Sequence, residues 1–115
     1  MAIFRIRQAL AAAVTVPNVM NGSKFEFLSR PAVVSIWATD DGTGSAQLDF
    51  TLGNVVVAED IPLNNAVVAG DIRKDSDFIG AGAGDAGDRI QIRVRNTDAV
   101  NSVNANIMIE IAEIG

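Results

Sequence analysis

A chain of 115 residues without cysteine, histidine or tyrosine is one domain, able to bury roughly 65% of the surface its unfolded form exposes. It has no means to form a disulfide framework, a thiolate metal site or a histidine general base. Its 14 acidic and 9 basic residues leave a net charge of −5, which argues against nucleic acid or an anionic membrane as the main partner. A hydrophobic fraction of 49% beside 20% charged residues is apolar for so small a domain. It points to surface that meets another chain, as in a homo-oligomer or assembly subunit made in a reducing cytoplasm.

The first run, "AIFRIRQAL" (2–10), reads as a strand. Arg5 and Arg7 ahead of "ALAAAVTV" imitate the charged and apolar regions of a signal peptide, but the apolar run spans only 9–16 and no small-x-small cleavage site follows, so it is read as part of the mature fold. "RQALAAAV" has the alanine for a helix without the length, and no run approaches a membrane span. "FEFLS" (25–29) and "AVVSIWAT" (32–39) are β-rich and are separated by Arg30 and Pro31; the turn "DDGTGS" follows. Trp37 alternates with Val33 and Ser35, which suits an inter-sheet or interface residue better than a sugar-stacking platform. "SAQLDFTL" (45–52) buries Ala46, Leu48, Phe50 and Leu52 on one face. "VVVAEDIPL" and "AVVAGDIRK" are the next strand candidates, the first confined to an edge or bend by Pro62.

"GAGAGDAG" (80–87) contains Gly82-x-Gly84-x-x-Gly87, the spacing of a phosphate-cradling loop. Such a loop must follow a strand and open a helix; this one opens the strand "DRIQIRVR", and no Gly-Lys-Ser or Gly-Lys-Thr accompanies it. The run is therefore expected to be a flexible or closely packed loop where side chains would obstruct a neighbouring backbone. Asp75, Asp77, Asp85 and Asp88 around it, with Asp40 and Asp41 in another turn, raise calcium, but EF-hand spacing and tandem repeats are missing. Asx turns explain the same residues, so no metal or other cofactor is assigned.

"RIQIRVR" (89–95) and "VNANIMIEI" (103–111) alternate strictly, and the turn formers of "NTDAVNS" between them predict an antiparallel hairpin with Arg89 facing Glu110. About eight short strands in all predict an all-β, single-domain antiparallel β-sandwich, jelly-roll-like, over residues 1–115. No nucleophile stands beside a histidine or cysteine and no carboxylate pair selects itself, so the chain is read as non-enzymatic. Residues 40–88 hold ten of the 14 acids but only Arg73 and Lys74 as bases, which predicts an acidic region and an arginine-rich one. Arg89, Arg93 and Arg95, lacking interleaved aromatics, suit a subunit contact better than RNA.

"AIFRIRQAL" and "GDRIQIRVRNTDAVN", followed by a closing apolar strand, resemble small virion proteins of bacteriophages, of the kind encoded beside major capsid proteins. That resemblance implies a β-sandwich or jelly-roll subunit in the virion that coats or cements a capsid shell, often as a trimer. Its partners would be the major capsid protein or other virion subunits, and assembly would occur in the host cytoplasm. The interface residues would be Arg5, Arg7, Trp37, Arg89, Arg93 and Arg95. Two alternatives stand beside it: a carbohydrate- or calcium-dependent binding β-sandwich, and a subunit of a non-viral extracellular filament.

Overall fold

Runs that are apolar on every second residue can bury one face each, and two sheets packed face to face bury all of them together. The computed structural model describes residues 2–66 and 68–114 and shows this arrangement. Its strands are β1 (Ala2–Leu10), β2 (Thr15–Val16), β3 (Ala32–Gly42), β4 (Ala46–Leu52), β5 (Val55–Pro62), β6 (Asn64–Asn65), β7 (Phe78–Gly84), β8 (Ile90–Asn96) and β9 (Val103–Glu113), with no helix among the described residues. The first sheet runs β1-β9-β3 and then β7 and the short β6, both against β3; the second runs β2-β8-β4-β5.

The pairing is nested. β1 pairs β9, β2 pairs β8, β3 pairs β7 and β4 pairs β5, all antiparallel. A long hairpin centred on the β4–β5 turn has thus been rolled up, which inserts β9 between β1 and β3 and β8 between β2 and β4. This is the jelly-roll arrangement. The core lies between the sheets: Val34, Ile36 and Ala38 of β3 and Ile107 and Ile109 of β9 face Leu48 and Phe50 of β4 and Ile90, Ile92 and Val94 of β8, all without solvent exposure. The faces expected to be buried on β4, β8 and β9 are the faces that are buried.

Three local expectations are overturned. β8 and β9 do not form a hairpin: they lie in different sheets, because the 97–102 connection crosses from one to the other. Asn96 holds this crossover, its Nδ2 donating to the carbonyls of Leu10, Ala11 and Asn101. "FEFLS" forms one isolated bridge, Phe27 to Arg89, rather than a strand. In "AVVAGDIRK" the residues beyond Ala66 form no strand where they are described, and Val67 lies outside the described residues.

Gly80–Gly84 of the glycine run form a strand, and only Asp85–Gly87 keep the loop that was expected. Within β7, Gly80, Gly82 and Gly84 turn inward while Ala81 and Ala83 face out. A Cβ on Gly84 would lie 2.8 Å from Leu28 Cδ1 and 3.1 Å from Leu52 Cδ2, and one on Gly82 would lie 3.0 Å from Val57 Cγ2. Bare backbone here lets side chains of the opposite sheet and of the 17–31 segment close the sandwich against β7, so the crowding expected of these glycines is present within a strand. Gly84→Val should cost about 1–3 kcal/mol by overpacking, whereas the outward Ala83→Val should change stability by less than about 0.5 kcal/mol. Urea unfolding of both variants tests this, and equal losses would mean that the glycines do not set the sheet spacing.

Candidate functional site

On β3 the side chains that point away from the core are Val33, Ser35, Trp37, Thr39 and Asp41, and register fixes their neighbours. Thr39 lies opposite Asn106, which lies opposite Arg7; Asp41 lies opposite Asn104. One end of the first sheet's outer face is therefore polar. The 68–77 segment crosses this face as a strap, with Thr39, Asp41 and Asn106 buried beneath it and Arg7 half-exposed at its margin.

Asp41 is the centre of the cluster. Arg7 holds both of its oxygens, Nη1 to Oδ2 and Nη2 to Oδ1, each at 3.0 Å. Asn106 Nδ2 donates to Oδ2 at 2.7 Å, the Gly70 backbone N–H to the same oxygen at 2.9 Å, and Asn104 Nδ2 to Oδ1 at 3.2 Å. Burial pushes this carboxyl up, but the donors Asn106, Asn104 and Gly70, with the Arg7 charge, outweigh burial and hold it below the ordinary aspartate range. A carboxylate with its lone pairs so occupied has no capacity left for a substrate proton or a metal; its role is to anchor the strap. Further ties act along the same segment. Thr39 Oγ1 donates to the Asp71 carbonyl at 2.8 Å, Trp37 Nε1 to the Lys74 carbonyl at 3.1 Å, and Arg5 to the Gly70 carbonyl. Lys74 Nζ lies 3.2 Å from Glu110 and 5.2 Å from the Trp37 ring centroid.

Asp40 and Asp41 belong to β3 and are buried, so they are not the turn residues the sequence suggested. Asp40 faces inward at the sandwich end, accepting from Ala46 N–H at 3.0 Å and Asn65 Nδ2 at 3.2 Å. Burial raises its pKa, the two donors oppose the rise, and the neighbouring Asp41 charge adds to it. Asp77 is bound by Arg73 N–H and Asn64 Nδ2, and Asp88 by Asp85 N–H. Among the described residues no group of three or more acidic side chains is placed to hold a metal ion.

The six interface candidates fall on both outer faces. Arg5, Arg7 and Trp37 lie on the first sheet, under or beside the strap, so Trp37 is neither an inter-sheet residue nor an open stacking platform. On the second sheet Arg89 binds Glu26 at 2.6 Å, and Arg95 binds Gln47 at 2.6 Å, Asp49 at 3.3 Å and Asp60. Arg93 stands apart. It is exposed in a shallow cleft of about 200 Å³ with Asp49, Thr51, Val56, Glu59 and Gln91, and forms no ion pair among the described residues. Asp41, Asn104, Asn106, Glu26 and Asp60 were missed as partners. Two asparagines on the outward side of β9, on the same face as Met108 and Glu110, were the available signal.

The sandwich end is a second feature. The 11–14, 43–45 and 97–102 turns meet there, joined by Ala13 N–H to the Asp98 carbonyl and Gly44 N–H to the Ser102 carbonyl. Asp98 is their single ionisable residue. Its carboxylate accepts from Asn101 and Val100 N–H, which hold its pKa below the ordinary value. The turn so fixed presents Val100 at 82% exposure beside Val14 at 39%. Compared with known proteins, the chain matches no family model and no curated protein.

Asp41→Ala should cost about 2–4 kcal/mol, because Arg7 and two asparagines lose a charged acceptor. The two carboxyls give opposite pH dependences. The contribution of Asp41, whose pKa is lowered, is present above the unfolded aspartate value and lost as pH falls through its folded one. Asp40, whose pKa is raised, favours the fold below the unfolded value and loses that contribution as pH rises through the folded one. Asp40→Asn should therefore gain in melting temperature relative to wild type between about pH 4 and neutrality. Thermal unfolding across that window checks the sign.

Proposed function

We propose that this is a non-enzymatic structural protein of a bacteriophage virion, a decoration or cement subunit that stabilises a capsid shell by binding the major capsid protein and its own copies. The observation that carries the reading is the nested jelly-roll pairing of its strands, an architecture recurrent in viral capsid domains. Fold alone does not assign function, so the surface supplies the second support. The strapped face commits its polar groups internally, and the arginines other than Arg93 are held by the chain's own groups. What faces outward includes an end with Val14 and Val100, where Asp98 is the single ionisable side chain, and one guanidinium, Arg93, without an ion pair among the described residues. These are features of a protein that meets another surface.

On this reading the apolar end and Arg93 make the shell contacts, each weak alone and strong when repeated over a particle. Arg5, Arg7, Arg89 and Arg95 act indirectly by keeping the sandwich and its strap rigid. Trp37 does the same through its hydrogen bond to the strap.

Purified protein mixed with empty shells of the phage that encodes it should bind to a fixed saturating number of copies, read by sedimentation. Val100→Asp and Arg93→Glu, both at exposed positions, should keep the wild-type circular dichroism. Each should weaken occupancy about tenfold, the equivalent of about 1.4 kcal/mol. Absence of wild-type binding would overturn the reading, and unaltered occupancy by both variants would remove these contacts from it.

A further inference from the structure

We propose that β7 is a self-association edge, at which two copies pair their β7 strands antiparallel across a two-fold axis and join their first sheets into one. The inference comes from comparing the outer strands of the sandwich. A sheet edge presents unpaired N–H and C=O groups, and soluble proteins guard such edges with charges, proline, bulges, shortness or a covering segment. β5 carries Glu59, Asp60 and Pro62, two register shifts and a left-handed Asp60 at φ 54°. β2 has two residues. β1 projects Arg5 and Arg7, and the 17–31 segment packs along it, with Phe25 stacked on Phe4 at 4.7 Å.

β7 has none of these guards on its open side. Its seven residues, "FIGAGAG", include no charge and no proline. Its ladder runs to β3 alone, and among the described residues no further backbone hydrogen bond reaches it. The only irregularity, a register shift between Ile36 and Trp37, lies at its first residues and leaves Gly80–Gly84 regular. This stretch is an edge still able to accept a strand.

The occupant is a second copy rather than a foreign strand. Strand addition selects a foreign peptide through pockets for alternate side chains, and β7 offers no pocket: its glycines are covered from within by Leu52 and Val57, and Ala81 and Ala83 present only methyls. Charge points the same way. Copies carrying −5 repel one another over most of their surface, but the strip beside this edge is neutral. Ala81 is followed across the sheet by Ser35 and then Glu110, and Ala83 by Val33 and Ala112. Glu110, the one acid in those two rows, is paired with Lys74 at 3.2 Å. Within residues 78–84 two identical edges therefore meet without like charges, Asp77 and Asp85 lying just beyond the ends of the strand, and a two-fold makes one small-residue strand the complement of itself.

This inference is independent of the capsid reading and is tested on the isolated protein. Analytical ultracentrifugation over a concentration series should show a monomer–dimer equilibrium for wild type and for an Ala81→Ser, Ala83→Ser control. Ala81→Lys, Ala83→Lys should raise the dissociation constant at least tenfold. Hydrogen exchange at the 79–84 amides of wild type should slow as concentration rises, which supplies a test even if the lysine variant fails to fold. A wild type that stays monomeric up to millimolar concentration would overturn the proposal. So would association unaffected by a folded lysine variant, or association without added protection in β7.

Discussion

A layer of apolar side chains between two sheets, closed to water on every side, is the condition on which the rest of this molecule depends. β-branched residues dominate it on β8 and β9, and Phe50 is the largest side chain fully buried in it. Burial of that layer supplies the main favourable term of folding. Closing it also dictates composition far from the centre. Side chains of the opposite sheet and of the 17–31 segment press on β7, which is why its inward positions are glycine. Met20 and Leu28, on a segment with no regular strand, seal the side near β8.

With the core so arranged, polar residues are left to organise the outside, and they do so by mutual satisfaction. The paired Asp41 and Arg7, flanked by two asparagines, hold an irregular connection as a cover over one end of the first sheet's outer face. Buried networks of this kind define one conformation when every member has a partner. Arg95 and Arg89 tie β5 and the 17–31 segment to β8 in the same manner. Arg7 with Asp41 and Arg95 with Asp49 and Asp60 thus offset part of the acidic centre with the arginine-rich ends within one molecule. That explains how a chain with so uneven a distribution of charge exposes neutral surfaces.

Those neutral surfaces are where the functional reading rests. An apolar-tipped end, an unguarded strand edge and a single arginine without an ion pair among the described residues are separate places on the sandwich, suited to contacts with different neighbours in an assembly. A rigid subunit loses little conformational entropy on joining such an assembly, which favours repeated weak contacts.

The inward faces of β4, β8 and β9 were legible in the sequence, because a period of two states which side chains share a face whatever the partner strand is. The edge character of β5 was legible from Pro62 for a similar local reason. Partner choice was not: "RIQIRVR" and "VNANIMIEI" alternate equally well as a hairpin or as strands of opposite sheets, and only the crossover held by Asn96 decides between them. "GAGAGDAG" reads as a loop by propensity, since glycine lacks the side chain that favours a strand. It becomes one because the opposite sheet leaves no room for anything larger. The Asp40-Asp41 pair reads as a turn by the same local rule, yet register places Arg7, Asn104 and Asn106 around Asp41. Composition and periodicity determined the class of fold and its buried faces, while strand order, the pairing of charges and the open edge were decided by contacts between residues far apart in the chain.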